Sequence, residues 1–264
     1  TGTGSHDLTV TGNLDLDGAV TNVVELDITG TSNLGANVTT SGTQNYQGTT
    51  TLSGGDRTLQ GSTVTLAAVT GGLNALTVTG NLDLDGAVSG VTNISVSGTS
   101  NIGADVTTTG TQSYTGTTTV SASSTLIGTE ISAAAIALND DLEIRNSNNS
   151  TLASVISGTG ALTKSGSGAL TLRGVNTFDG DLTVSAGTLY AGLAADSGNQ
   201  VIENNVIVSG GTLSGGATIG GNVTVATANL APGNSIGTLT IDGNVTLGDN
   251  STTTIEFNGT TSDK

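Results

Sequence analysis

The sequence predicts an all-β protein, a single β-solenoid in which the short strands of successive coils stack in parallel. Three observations carry this expectation. The stretch Leu8-Thr9-Val10-Thr11-Gly12-Asn13-Leu14-Asp15-Leu16-Asp17-Gly18-Ala19-Val20 returns unchanged at Leu76 to Val88. Within each copy, apolar residues alternate with Thr or Asp at a period of two, the pattern of a strand with one face buried. The chain also holds 41 glycines but a single proline, Pro232. That balance suits many short strands joined by tight turns and argues against collagen or a Pro-rich linker.

Taken in order, residues 8–53 align with 76–121 without a gap. Gly30-Thr31-Ser32-Asn33-Leu34-Gly35-Ala36 matches Gly98-Thr99-Ser100-Asn101-Ile102-Gly103-Ala104, and the Tyr46 region matches the Tyr114 region. Exchanges such as Leu34 to Ile102 and Leu52 to Val120 conserve size, as a packed inward position requires. Strand starts near Leu8, Leu26, Thr50 and Leu76 divide the repeating unit into three coils of roughly 18 to 26 residues, within the range of solenoid repeats. The pleat turns Leu8, Val10, Leu14 and Leu16 inward, with Leu82 and Leu84 in the second copy, and turns Thr9, Thr11, Asp15 and Asp17 to solvent. Thr129 to Leu138 reads as strand despite Ala133-Ala134-Ala135, because Ile136, Leu138, Leu142 and Ile144 return to period two. Asn139 to Asn149 reads as a polar loop between two halves. Coils beginning near Val206, Val223 and Leu239 predict a tighter winding after about Ser157 than before it. About twelve coils at about 4.8 Å each would give a rod on the order of 55 Å.

Composition narrows function. Leu, Ile, Val and Phe together make up about a quarter of the chain, more than the roughly one fifth below which disorder is expected. There is no cysteine, so disulfides, thiolate nucleophiles and thiolate metal sites are excluded. Five Lys plus Arg against 21 Asp plus Glu give a net charge of −16, which opposes binding to nucleic acid or to an acidic lipid surface. The acidic excess instead keeps a large β surface soluble. The sequence shows no run of about 20 apolar residues and no charged-then-apolar leader, so membrane insertion by this segment is not expected. Thr1 stands just ahead of a strand, and Ser262-Asp263-Lys264 follow a strand expected over Thr253 to Phe257. The chain therefore reads as a piece of something longer, whose open strand edges would permit end-to-end self-association.

The residues from Gly158-Thr159-Gly160-Ala161-Leu162-Thr163-Lys164 through Gly168-Ala169-Leu170-Thr171-Leu172-Arg173-Gly174 and Phe178-Asp179-Gly180 resemble the autotransporter-associated β-strand repeat. Ser185-Ala186-Gly187-Thr188-Leu189 continues it, and Leu230-Ala231-Pro232-Gly233-Asn234-Ser235-Ile236-Gly237-Thr238-Leu239 is similar to a segment of passenger domains. Residues 1–157 resemble the repeats of filamentous haemagglutinin-type adhesins. On this basis the chain divides at 157/158 into two kinds of repeat. The resemblance implies a right-handed parallel β-helix exported to the surface of a Gram-negative bacterium. It also implies a structural stalk for display and cell adhesion, with a host or neighbouring-cell protein or glycan as partner and Asn139 to Asn149 as one binding surface. A β-helix carbohydrate-active enzyme is the alternative.

No catalytic, cofactor-binding or metal residue is assigned. Asp15/Asp17 and Asp83/Asp85 form an Asp-x-Asp-Gly suggestive of calcium, but a calcium loop needs more oxygen ligands at fixed offsets. His6 is the one histidine. It is expected in a turn, and a lone imidazole makes neither a triad nor a metal cluster. Arg57, Arg145, Arg173 and Lys164 are scattered. Thr9/Thr11, Thr63/Thr65 and Thr77/Thr79 are too unevenly spaced for an ordered water-binding face and follow ordinary strand propensity. Tyr46, Tyr114 and Phe178 are expected to pack inward at turns.

Overall fold

The computed structural model describes residues 6–193, 200–233, 235–257 and 261–262. Of the residues named above, Thr1, Asn234, Asp263 and Lys264 lie outside them. The described residues form 33 strands and no helix. Alternation decides this locally: strand after strand shows buried first and third residues around a more exposed middle one, as in Ser32–Leu34, Val38–Thr40 and Gln112–Tyr114. The chain divides into two compact units, Thr1–Gly128 and Thr129–Lys264. Each is a β-solenoid of parallel coils.

In the first unit three rows of stacked inward residues make three faces. One row runs Leu8, Leu26, Gln44, Val64, Leu82, Ser100 and Thr118. The second runs Leu14, Ser32, Thr50, Val69, Val88, Val106 and Leu126. The third joins Val20, Val38, Leu59, Val78, Val96 and Tyr114. Successive members of a row differ in number by 18, as Leu8 and Leu26 do, to 21, as Val38 and Leu59 do. The wider coils expected around Thr50 and Leu76 are corrected here. The element that repeats is shorter still. A three-residue strand and a three-residue corner make up each face, so that Leu76, Leu82, Val88, Ile94, Ser100, Val106, Gln112 and Thr118 follow one another inward at every sixth position.

The offset between the two identical stretches is therefore not a whole number of coils, and they begin on different faces. Leu82, the counterpart of Leu14, stands in the row of Leu8. Val88, the counterpart of Val20, stands in the row of Leu14. The same contacts are nevertheless rebuilt. Asn13 Oδ1 accepts from Thr31 N at 3.0 Å and Asn81 Oδ1 from Thr99 N at 3.0 Å. Asn33 Nδ2 donates to Asp15 at 2.8 Å and Asn101 Nδ2 to Asp83 at 2.8 Å. The three faces are near-equivalent environments for one strand-and-corner module.

The corners explain part of the glycine content. A Cβ on Gly98 would sit 2.5 Å from the Gly80 carbonyl oxygen and 2.4 Å from Asn81 Oδ1, and one on Gly30 would meet Gly12 O and Asn13 Oδ1 at 2.5 and 2.4 Å. Only glycine lets one corner lie this closely on the next.

The inward leucines of the second copy, Leu76, Leu82 and Leu84, are at most 2% exposed, and full burial of each is worth roughly 1.5–3 kcal/mol. In the first copy Leu14 and Leu16 are half-buried and Leu8 is 40% exposed. Identical side chains differ because Leu8 belongs to the first described coil, with a stacking partner on one side. His6 is not in a turn: it opens the strand His6–Val10.

The second unit stacks in the same way. Its first row is Leu142, Leu162, Leu182, Val206, Val223 and Val245. Its second is Ser150, Leu170, Leu189, Leu213, Leu230 and Thr253. Steps here vary from 17, between Val206 and Val223, to 24, between Leu182 and Val206. Coils after Ser157 are thus more varied and often wider, opposite to the expected tightening. Only the coil from Val206 to Val223, with Leu213 to Leu230 in the second row, is short, and the next level starts at Val245, not Leu239. The expected loop at Asn139 to Asn149 contains the strand Leu142–Asn146, whose Leu142, Ile144 and Asn146 are buried. Alternation outweighed polarity there. The last strand is confined to Thr252–Thr253.

Candidate functional surface

The surface of the first unit is built from the middle residue of each strand. Along one face it reads Thr9, Asp27, Asn45, Thr65, Asp83, Asn101 and Thr119. Each aspartate is followed one coil on by an asparagine that donates to it: Asn45 Nδ2 to Asp27 at 2.9 Å and Asn101 Nδ2 to Asp83 at 2.8 Å. Two carboxylates never stand on adjacent rungs of this ladder, so the acidic charge is spread rather than opposed across a pair. Thr9 and Thr65 belong to this mixed row, and Thr77 to another with Thr58, Ser95 and Ser113. Neither row is a continuous threonine array.

Asp15 and Asp83 thus accept from asparagines. Among the described residues no three His, Cys, Asp or Glu side chains gather in a way that could hold a metal ion. One open groove of about 330 Å³ does collect three carboxylates, Asp7, Glu25 and Asp27, beside Leu8 and Asn45. Among the described residues no lysine or arginine lines it, and Asp27 is already bonded to Asn45 and to Gln47 Nε2 at 2.8 Å.

The basic residues named from the sequence are not brought together. Arg57 staples a corner, donating from Nε to Leu34 O at 2.9 Å and from a terminal nitrogen to Ser53 O. Arg145 lies 3.6 Å from Glu143 on the same strand, a partly exposed pair of little energetic weight. Lys164 is fully buried. It stacks between Ile144 and Val184, and its Nζ donates to Ser165 O, Gly166 O and Ala186 O at 2.6, 2.9 and 3.2 Å. Burial lowers its pKa to about 8, because desolvation disfavours the ammonium. The signal for this was present: Lys164 follows Leu162 by two and so shares its inward face.

Tyr46, Tyr114 and Phe178 are buried, at most 1% exposed. Both tyrosines bond to a buried glutamine two residues before them, Tyr46 to Gln44 Oε1 at 2.9 Å and Tyr114 to Gln112 Oε1 at 3.0 Å. Burial pushes both phenols well above the usual tyrosine range, since a buried phenolate loses its hydration. The glutamine amides in turn donate to backbone carbonyls, Gln60 O at 2.7 Å and Ile127 O at 2.8 Å. These pairs are structural plugs, and sequence reading placed the tyrosines without finding their glutamine partners.

In the second unit Asn176 replaces an apolar inward residue. Its Oδ1 accepts from Ile156 N at 3.0 Å, and its backbone bridges to Ile202, so the row continues through a position with no strand.

No curated protein and no solved structure matches the chain significantly. A family model does match, across the coils that hold Lys164, Phe178 and Leu189: residues 162–191 match the passenger-associated-transport-repeat, a repeat of autotransporter passengers, on a β-solenoid fold.

Proposed function

We propose that the chain is a stalk segment of a surface-exposed bacterial adhesin, a rigid solenoid that displays a binding region away from the cell. The observation that carries this reading is the passenger-associated-transport-repeat at 162–191 within a solenoid of stacked parallel coils. The repeat supports export to the surface of a Gram-negative bacterium. The outer faces support a role in reach rather than chemistry, since their Thr, Asn and Asp ladders are satisfied by neighbouring coils. In this reading the chain catalyses nothing. Among the described residues the groove with three carboxylates has no lysine or arginine in its lining, which a lyase-type elimination needs to take the proton and hold the substrate carboxylate, and Asp27 is already held by Asn45 and Gln47. Its partner is a protein or glycan of a host or neighbouring cell.

The test is to express the full-length protein in a Gram-negative host and ask whether antibody against this segment labels intact cells. Adherence to host cells is then measured with and without the coil Ser100 to Thr117. Surface labelling, and adherence that survives loss of one coil, are expected. A segment retained inside the cell, or adherence abolished by removing one coil while labelling persists, would overturn the stalk assignment.

A further inference from the structure

We propose that an open groove on one face of the second unit binds a neutral glycan, with Tyr190 as the stacking platform. Tyr190 stands half-buried in the row Tyr190, Ser214, Ala231, in which Ser214 is buried as the floor of the groove, and the pairing of Leu230 with Thr253 places Thr254 next in it. A large ring is thus followed by two small side chains and then by a wall of Thr254 and Glu256. The result is a groove of about 190 Å³. Three rungs at about 4.8 Å give about 14 Å between Tyr190 and Thr254, room for a short oligosaccharide.

The lining has the chemistry of sugar recognition. Tyr190 is half-buried, whereas Tyr46, Tyr114 and Phe178 are committed to the core. An aromatic face takes the C–H face of a pyranose, and the phenol remains as a polar handle. The hydroxyls of Thr188 and Thr212 line the same groove, with Pro232 at its edge. Its floor is fixed: Ser214 Oγ donates to Gly233 O, and Gly215 and Gly233 exchange backbone hydrogen bonds of 2.9 and 2.8 Å. A groove held this way needs little ordering on binding. Among the described residues its one charged lining residue is Glu256, with no lysine or arginine in the lining, and the chain carries −16 overall. Sialylated and uronate sugars are therefore disfavoured and neutral hexoses favoured. This site goes beyond the stalk reading and stands without it, since a groove on a purified chain can be tested apart from export.

The experiment titrates the ¹⁵N-labelled chain with lactose, maltose and methyl α-mannoside, with 3′-sialyllactose as the anionic comparison, up to about 50 mM. At least one neutral sugar is expected to shift amides of residues 188–191, 212–215 and 229–233 with millimolar affinity. Tyr190→Ala should weaken that binding by about tenfold or more, and Tyr190→Phe should retain it within about threefold. Ala231→Arg fills the groove two rungs from Tyr190 and leaves the ring in place; it should abolish binding, which keeps the test open if Tyr190→Ala misfolds. The proposal fails if no neutral sugar shifts those amides, if both Tyr190→Ala and Ala231→Arg bind as the parent does, or if 3′-sialyllactose binds more tightly than lactose.

Discussion

Lys164 should give this protein an unusual alkaline gain in stability. Its side chain is fully buried, its ammonium faces three backbone carbonyls, and among the described residues it has no ion-pair partner. Desolvation lowers its pKa from 10.5 to about 8. Between those values the unfolded chain holds a proton that the folded chain has released, so stability rises with pH across that window. Each pH unit is worth about 1.4 kcal/mol, so the gain from pH 8 to 9.5 is about 2 kcal/mol and the full span about 3 kcal/mol. Above the ordinary tyrosine pKa the sign reverses. Tyr46 and Tyr114 keep their protons when folded and lose them when unfolded, so stability falls there. Urea unfolding followed by circular dichroism at pH 7 to 9.5 measures this, with Lys164→Met as the comparison. The parent's midpoint should climb relative to the variant's, because every other titrating group is common to both. An equal slope in the two proteins, or a parent that weakens between pH 8 and 9.5, would refute the reasoning.

Gly98→Ala should cost about 1–3 kcal/mol, as overpacking does, since its Cβ meets backbone that cannot step aside. Gly30→Ala on a different face should cost a similar amount. Denaturant midpoints of the two variants check this, and a large cost at one position alone would break the equivalence of faces. Thr118→Val should stabilise by about 1 kcal/mol, because the Thr118 hydroxyl is buried without a hydrogen-bond partner; a lower melting temperature would show that it is bonded after all. Duplicating Ser100 to Thr117 in tandem adds one full coil, since Ser100 stacks on Thr118. The product should keep the parent's circular dichroism per residue and show a larger denaturant slope, in proportion to the surface it buries.

Much of this structure was legible in the sequence because in-or-out is a local property of a strand. Ring size placed Tyr46, Tyr114 and Phe178 inward, although the two tyrosines lie in strands rather than at turns. Period-two alternation placed Leu82 and Leu84 inward and Asp15 outward without knowledge of any partner. The same rule, followed strictly, would have turned Lys164 inward and made a strand of Leu142–Asn146, where polarity argued the other way. The hydroxyl-rich groove at Tyr190 was not legible. Its members come from strands each a full coil from the next, and its shape depends on Ser214 and Ala231 being small on consecutive rungs.

The sequence by itself determined that this chain is built from strands, which apolar side chains supply most of its core, and that its repeats are one module used many times. The stacking decided the rest. A strand and its corner read alike on any of three faces, so an identical stretch at Leu8 and at Leu76 does not reveal which face it will occupy. That choice belongs to backbone hydrogen bonds between one coil and the next, as from Leu14 N to Thr31 O at 2.8 Å and from Leu82 N to Thr99 O at 2.8 Å. Those bonds carry no side-chain signature, and for that reason the coil length and the rotation between the two copies appear only in the folded protein.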